Sequence, residues 1–155
     1  MKKEILICSD CNYDNLVAEI YIDDKYIVDA YSGTGTIGMI MSKKAKKVYA
    51  IEIVKSASED GEKTAKENGI ENIEFINGPV EKELVNLRNA NKRIDTIIFD
   101  PPRKGLEASI IDKVAELNLK GVVYISCNPS TFARDVKLFS EKGYVLKKLQ
   151  AVDMF

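Results

Sequence analysis

A chain of 155 residues, 45% hydrophobic and 30% charged, has the size and composition of one globular domain with one sizeable core. Its 23 Lys+Arg against 24 Asp+Glu leave a formal charge of -1, which lacks the overall basicity of a dedicated nucleic-acid binder but leaves room for local basic patches. It has no histidine, which excludes mechanisms built on an imidazole base, and no apolar run near the ~20 residues of a membrane span.

In chain order, residues 1–25 are the least readable and are expected to form a short hairpin or the remnant of something larger. The start "MKKEILICSD" has two lysines but neither a long apolar stretch nor a small-residue cleavage site, so no signal peptide is expected. Three cysteines cannot all pair, and with an acidic, Lys-rich surface they point to reduced thiols and a cytoplasmic setting. Cys8 and Cys11 make a lone C-x-x-C, half a metal site at most, and no metal is expected.

From Tyr26 on, β-branched apolar runs alternate with polar amphipathic stretches. "YIVDAY" (26–31), "KVYAIEI" (47–53), "IEFING" (73–78), "IDTIIFD" (94–100) and "GVVYISC" (121–127) read as strands, with "YVLKKLQAVDMF" (144–155) as a last candidate. Helices lie between them. One ends at Asn68-Gly69, and another, "STFARDVKLFSEKG", opens on a Ser/Thr cap and stops at Gly143. Near-continuous apolar strands in βαβ alternation predict an α/β fold, a mostly parallel sheet with helices on both faces.

The first predicted strand runs into "DAYSGTGTIG", placing Asp29 before Gly33, Gly35 and Gly38. Glycines at a strand-to-helix turn allow positive φ and let a ligand lie close to the backbone. Glu52 ends the next strand, 19 residues beyond Gly33, where a carboxylate bonds the vicinal hydroxyls of an adenosine ribose. A dinucleotide fits the glycine spacing; the acid ahead of "GTG" favours S-adenosylmethionine. The strand ending in "FDPPRKG" projects Asp100 into the same cleft, and Pro101-Pro102 stiffen its rim. Arg103 and Lys104 suit a phosphate backbone. A plain "DPP" amino-methyltransferase would place an aromatic after the prolines and gives Cys127 no role. Cys127 comes at the carboxyl tip of its strand in "YISCNPST", before a helix whose N–H groups are expected to stabilise a thiolate. A thiolate added at C6 of uracil makes C5 nucleophilic toward a methyl donor, after which a base must remove the C5 proton.

"DAYSGTGTIG", "IEIV", "NGIENIEFINGPVEK", "DPPRKGL" and "YISCNPSTFARD" resemble, in order and spacing, the catalytic domain of the RNA uracil-5-methyltransferases, which make 5-methyluridine in ribosomal or transfer RNA. The resemblance covers about Tyr26 to Phe155. It implies a class I S-adenosylmethionine-dependent methyltransferase (Rossmann-like) fold, with residues 26–155 as a catalytic domain truncated at its C-terminus. It implies Cys127 as nucleophile and Asp100 as the carboxylate between methionine moiety and target base. It further implies Tyr31 packing on the cofactor, Gly33 and Gly35 in its loop, and Glu52 on its ribose. RNA is the implied partner, ribosomal ahead of transfer RNA. Ser32 stands where the family usually has cysteine. The family's base, a glutamate, belongs to a segment after "VDMF", and its RNA-binding β-barrel lies upstream. The chain alone is therefore expected to be inactive or very weak; the alternative reading is a cofactor-binding module of such an enzyme. The family's last strand is expected to be missing too, leaving unpaired flanks on the strands at Gly121 and Tyr144.

Overall fold

The apolar runs at the centre of the sheet become strands because both of their faces are covered. The computed structural model describes residues 3–7 and 23–149. In chain order the elements are β1 (Lys3–Ile7), β2 (Tyr26–Ala30), α1 (Thr36–Ser42), β3 (Lys47–Glu52), α2 (Lys55–Glu67) and β4 (Ile73–Asn77), then α3 (Val80–Asn89), β5 (Thr96–Phe99), α4 (Ala108–Glu116), β6 (Gly121–Tyr124), α5 (Pro129–Glu141) and β7 (Tyr144–Lys148). The strands form one sheet in the order β4-β3-β2-β5-β6-β1-β7, and every adjoining pair is parallel.

Side chains alternate across this sheet with the strand period of two. Val28, Ala30, Tyr49, Ile51, Ile97, Phe99, Val122 and Tyr124 face α3, α4 and α5 and bury Leu84, Ile110, Val114 and Phe139 with them. Ile27, Val48, Ile98 and Val123 face the other way, against Met41 of α1. α2 covers the same side as α1, since Gly61 packs on Phe75, and Phe75 pairs with Ala50 next to Val48 on that face.

Gly61 makes that packing testable. Alanine is the better helix former by about 1 kcal/mol. Here, however, an added Cβ would stand 2.4 Å from the Phe75 ring and 2.6 Å from the backbone oxygen of Thr34. The same ring leaves only 2.5 Å for a Cβ at Gly35. Gly61→Ala is therefore expected to destabilise the fold by about 1–3 kcal/mol despite its helix propensity. A urea midpoint that stays level or rises would refute the packing argument.

The structure corrects two sequence expectations. Within the segment expected to form a short hairpin or the remnant of something larger, Lys3–Ile7 form a strand of the main sheet. β1 fills the flank expected to stand open: Glu4 lies opposite both Gly121 of β6 and Val145 of β7. Two strands that each offer unpaired N–H and C=O groups form a slot, and the "KEILI" run satisfies both sides. Among the described residues the sheet ends instead at β7, where Val145 and Leu146 are exposed. Finally, α5 begins at Pro129 and is capped by Asn128, not by Ser130 or Thr131. Proline at the first helical position loses nothing there, because that N–H has no intrahelical partner. Cys8, Cys11 and residues 150–155 lie outside the described residues. Among the described residues no group of His, Cys, Asp and Glu could hold a metal ion, and no helix is long and apolar enough to cross a membrane.

Candidate active site

Strand order reverses between β2 and β5, so a crevice opens outside their carboxyl ends. Ala30 pairs with both Ile51 and Phe99, and Phe99 pairs with Tyr124. The next residues along, Tyr31, Glu52 and Asp100, thus emerge in one row at the rim.

The loop after β2 is shaped by three left-handed residues, Tyr31 (φ 63), Gly33 (φ 56) and Gly35 (φ 78). Tyrosine rarely adopts that conformation, and here its ring leans on Phe99 at 6.4 Å between centroids. Burial first, then the charges of Glu81, Glu107 and Asp135, push the Tyr31 phenol up to about 12, so it stays neutral. Glu52 is 8% exposed and organises the loop: its Oε2 accepts from Gly33 N–H and its Oε1 from Val54 N–H, both at 2.8 Å. A carboxylate oxygen keeps a second lone pair, so holding the loop leaves acceptors for two ribose hydroxyls. A Cβ at Gly33 would meet nothing within 4 Å, so the loop floor is open there. Ile53 and Val54, 65% and 53% exposed, stand beside Glu52 as an apolar wall that the sequence reading did not assign. Two adjacent apolar residues past the strand's acid were the available signal.

Asp29 lies beneath the loop, fully buried. Its Oδ2 accepts from Gly38 N–H at 2.8 Å, and a Cβ at Gly38 would sit 2.9 Å from that oxygen. Glycine there is what lets the helix backbone reach the carboxylate. Burial raises the Asp29 pKa to about 7; the Gly38 hydrogen bond opposes this, while Asp100 and Glu52 add to it. Asp29 Oδ1 and Ser32 Oγ are buried without a hydrogen-bond partner among the described residues. Open floor, orphaned polar atoms, apolar wall and three carboxylates suit a ligand with an adenosine end and a cationic end, so the residues present fit S-adenosylmethionine.

Asp100 follows β5, exposed at the rim, and partial burial of its carboxyl raises its pKa. Ile125 N–H fixes the preceding carbonyl, Phe99 O, at 2.8 Å. Cys127 is exposed and lies three residues beyond β6, on a turn rather than at the strand tip. In that turn Ser126 Oγ donates to Asn128 O and accepts from Asn128 N–H, both at 3.1 Å. Asn128 Oδ1 accepts from Ser130 N–H at 3.1 Å, and Pro129 has no N–H. Of the helix-terminal groups expected to serve a thiolate, Ser130 N–H is thus engaged by its own cap and Pro129 offers none. Asp100 and Cys127 follow adjoining strands, β5 and β6, at one end of the sheet. Arg103 and Lys104 are exposed beside them, Lys104 with its Nζ 2.9 Å from Glu107.

The model of the tRNA (uracil-5-)-methyltransferase family matches residues 17–155. A Fusobacterium nucleatum protein described as an uncharacterised RNA methyltransferase is 92% identical over 134 residues, 86% of this chain and 29% of the relative. One from Caldanaerobacter subterraneus, described in the same words, is 41% identical over 155 residues, 100% of this chain and 33% of the relative. The chain thus spans about a third of the length of the curated relatives it matches. Among solved structures, Pyrococcus abyssi tRNA (uracil-54, C5)-methyltransferase in complex with S-adenosyl-L-homocysteine is similar at TM-score 0.68 and 34% identity, over 79% of this chain and 29% of that one. Geobacter metallireducens precorrin-6y C5,15-methyltransferase, 19% identical at TM-score 0.67 over 79% and 65% of the two chains, shares the fold alone. That fold is the class I S-adenosylmethionine-dependent methyltransferase fold.

Proposed function

The chain belongs to the tRNA (uracil-5-)-methyltransferase family, and from that premise we propose that it carries the catalytic centre of an S-adenosylmethionine-dependent RNA uracil-C5 methyltransferase. The observation that carries this reading is that Asp100, after β5, and Cys127, in the turn after the adjoining β6, lie at the same end of the sheet as the cleft at Glu52 and Gly33. S-adenosylmethionine, when bound, supplies an electrophilic methyl group. Glu52 holds the ribose end and Tyr31 the flank, while the loop at Gly33 and Gly35 lets the ligand lie on the backbone. The Cys127 thiolate adds to C6 of the target uracil, and the electron pair of the C5–C6 bond moves toward O4. C5 is then nucleophilic and takes the methyl group, with Asp100 at the rim between base and cofactor. Removal of the C5 proton by a base restores the double bond and expels the thiolate. Arg103 and Lys104 meet RNA phosphates.

The test is calorimetric titration with S-adenosylmethionine and, separately, NAD, followed by transfer of labelled methyl to ribosomal and to transfer RNA. Ribosomal RNA is the substrate the sequence reading favours; the family's description and the Pyrococcus relative name transfer RNA, so both are needed. Binding of S-adenosylmethionine is expected, weakened at least about tenfold by Glu52→Ala, the scale of losing hydrogen bonds to a charged group. Tight NAD binding without response to S-adenosylmethionine would overturn the assignment. Cofactor binding with no reaction on either RNA would leave the chain as the cofactor-binding part alone.

A further inference from the structure

The segment that follows Asp100 has no secondary structure until α4, so its backbone polar groups need partners from elsewhere. Gly105 N–H turns back onto Pro102 O at 2.8 Å; the other partners come from α5 and the residue that caps it. Arg103 O accepts from Asn128 Nδ2 and Thr131 Oγ1, both at 3.1 Å. Lys104 O and Leu106 O both accept from Arg134 Nη2 at 3.0 Å. Leu106 N–H donates to Asp135 Oδ2 at 2.7 Å. Asp135 is fully buried at the centre of this bracket. Its Oδ2 also accepts from the Tyr124 hydroxyl at 2.6 Å, and its Oδ1 from Arg134 Nε at 2.8 Å, with Nη2 2.7 Å away. Gly105 (φ 76) lets the chain come this close: a Cβ there would lie 2.6 Å from Asp135 Oδ2.

The bracket joins the two segments that carry the chemistry. One end is the loop begun by Asp100; the other is the helix whose cap, Asn128, follows Cys127. Tyr124 links Asp135 to β6, and its ring lies 6.3 Å from that of Phe99, the residue before Asp100. We infer that Asp135 is a positioning residue: with Arg134 it fixes the backbone of Arg103–Leu106, and so the placement of Asp100 relative to Cys127. The inference rests on the proposed reading, in which those two residues act on one uracil. A merely structural ion pair would stabilise the fold without favouring one step. A positioning residue affects the step needing both loops, where misplacement by about 1 Å can cost 10²-fold. The glycine loop and Glu52 make none of these contacts, so cofactor affinity, touched only through Asp100 and Tyr31, is expected to fall less than the adduct rate.

The test uses RNA carrying 5-fluorouridine, which accepts thiolate and methyl but cannot lose fluorine as a cation, so the covalent adduct accumulates. Adduct rate and affinity for S-adenosyl-L-homocysteine are measured for the chain and for Asp135→Asn, Arg134→Lys and Tyr124→Phe. Tyr124→Phe keeps the aromatic packing and removes a single donor, so it reports even where Asp135→Asn fails to fold. The adduct rate is expected to fall about tenfold or more in Asp135→Asn and by less in Tyr124→Phe, with affinity within about threefold of the parent. Arg134→Lys keeps the charge without the planar fork and is expected to fall between them. Adduct at the parental rate in folded Asp135→Asn, or in Tyr124→Phe where Asp135→Asn does not fold, would overturn the positioning role alone. Equal losses of rate and affinity would do the same. No adduct with the parent chain would overturn the proposed function and this inference with it.

Discussion

Replacing Cys127 by serine is expected to abolish the covalent adduct with 5-fluorouridine RNA, a fall of more than about 10³-fold, the scale seen when a nucleophile is removed. The reason lies in the nucleophile rather than in the fold. Cys127 is exposed on a turn, so serine replaces it without opening a cavity. A serine hydroxyl is hardly ionised near neutral pH, whereas a few per cent of an ordinary thiol is thiolate and intrinsically far more nucleophilic. Binding of S-adenosyl-L-homocysteine is expected to survive unchanged, because Glu52, Gly33 and Tyr31 are untouched. Mass spectrometry of the parent adduct should place the crosslink on Cys127. A crosslink on Cys8 or Cys11, or an undiminished adduct with Cys127→Ser, would remove Cys127 from its role. Low salt and high RNA concentration are needed, since a net charge of -1 gives little general attraction for phosphate.

The strands β2, β3, β5 and β6 were legible because both faces of each are buried, leaving apolar β-branched runs that a solvent-facing surface would interrupt. The row of Tyr31, Glu52 and Asp100 was legible for a related reason: parallel strands put their carboxyl ends on one side, so the residues ending each run must share a cleft. β1 was not legible. Its place is decided by two distant strands, Gly121–Tyr124 and Tyr144–Lys148, whose unpaired edges make the slot. A five-residue run announces nothing about which edge it will meet.

The site was legible in its acids and its thiol but not in what holds them. Asp135 and Arg134 lie in a stretch read only as an amphipathic helix, and Asp135 is fully buried. Only the fold brings Leu106, 29 positions away, against it. The helix cap misled for a local reason: "NPST" offers Asn128, Ser130 and Thr131, and the proline between them decides for Asn128. Glu52 was placed correctly as an acid at the strand tip, but its hold on Gly33 N–H spans two strands and has no sequence signature.

Asp29 carries the largest expected effect of pH on stability. Its pKa is about 7 in the fold against 3.8 in an open chain. Between those values the folded state binds a proton that the unfolded state has lost. Stability therefore falls as pH rises: the contribution is complete below about 4 and gone once pH has passed about 7. A shift of roughly three pH units corresponds to about 4 kcal/mol. Asp29→Asn keeps an acceptor for Gly38 N–H and cannot ionise. Urea unfolding from pH 4 to 8 should show the parent weakening relative to Asp29→Asn, the gap widening by several kcal/mol across that range. Other carboxyls titrate in both proteins, so the difference between the curves isolates Asp29. The charge that stability resists is the one a cationic ligand favours, because opposite charge nearby stabilises an ionised carboxylate. Saturating S-adenosylmethionine, with its sulfonium and ammonium, is therefore expected to flatten the parent's pH slope while leaving that of Asp29→Asn unchanged. Curves that run parallel with and without cofactor would show that Asp29 is not coupled to the cleft above it.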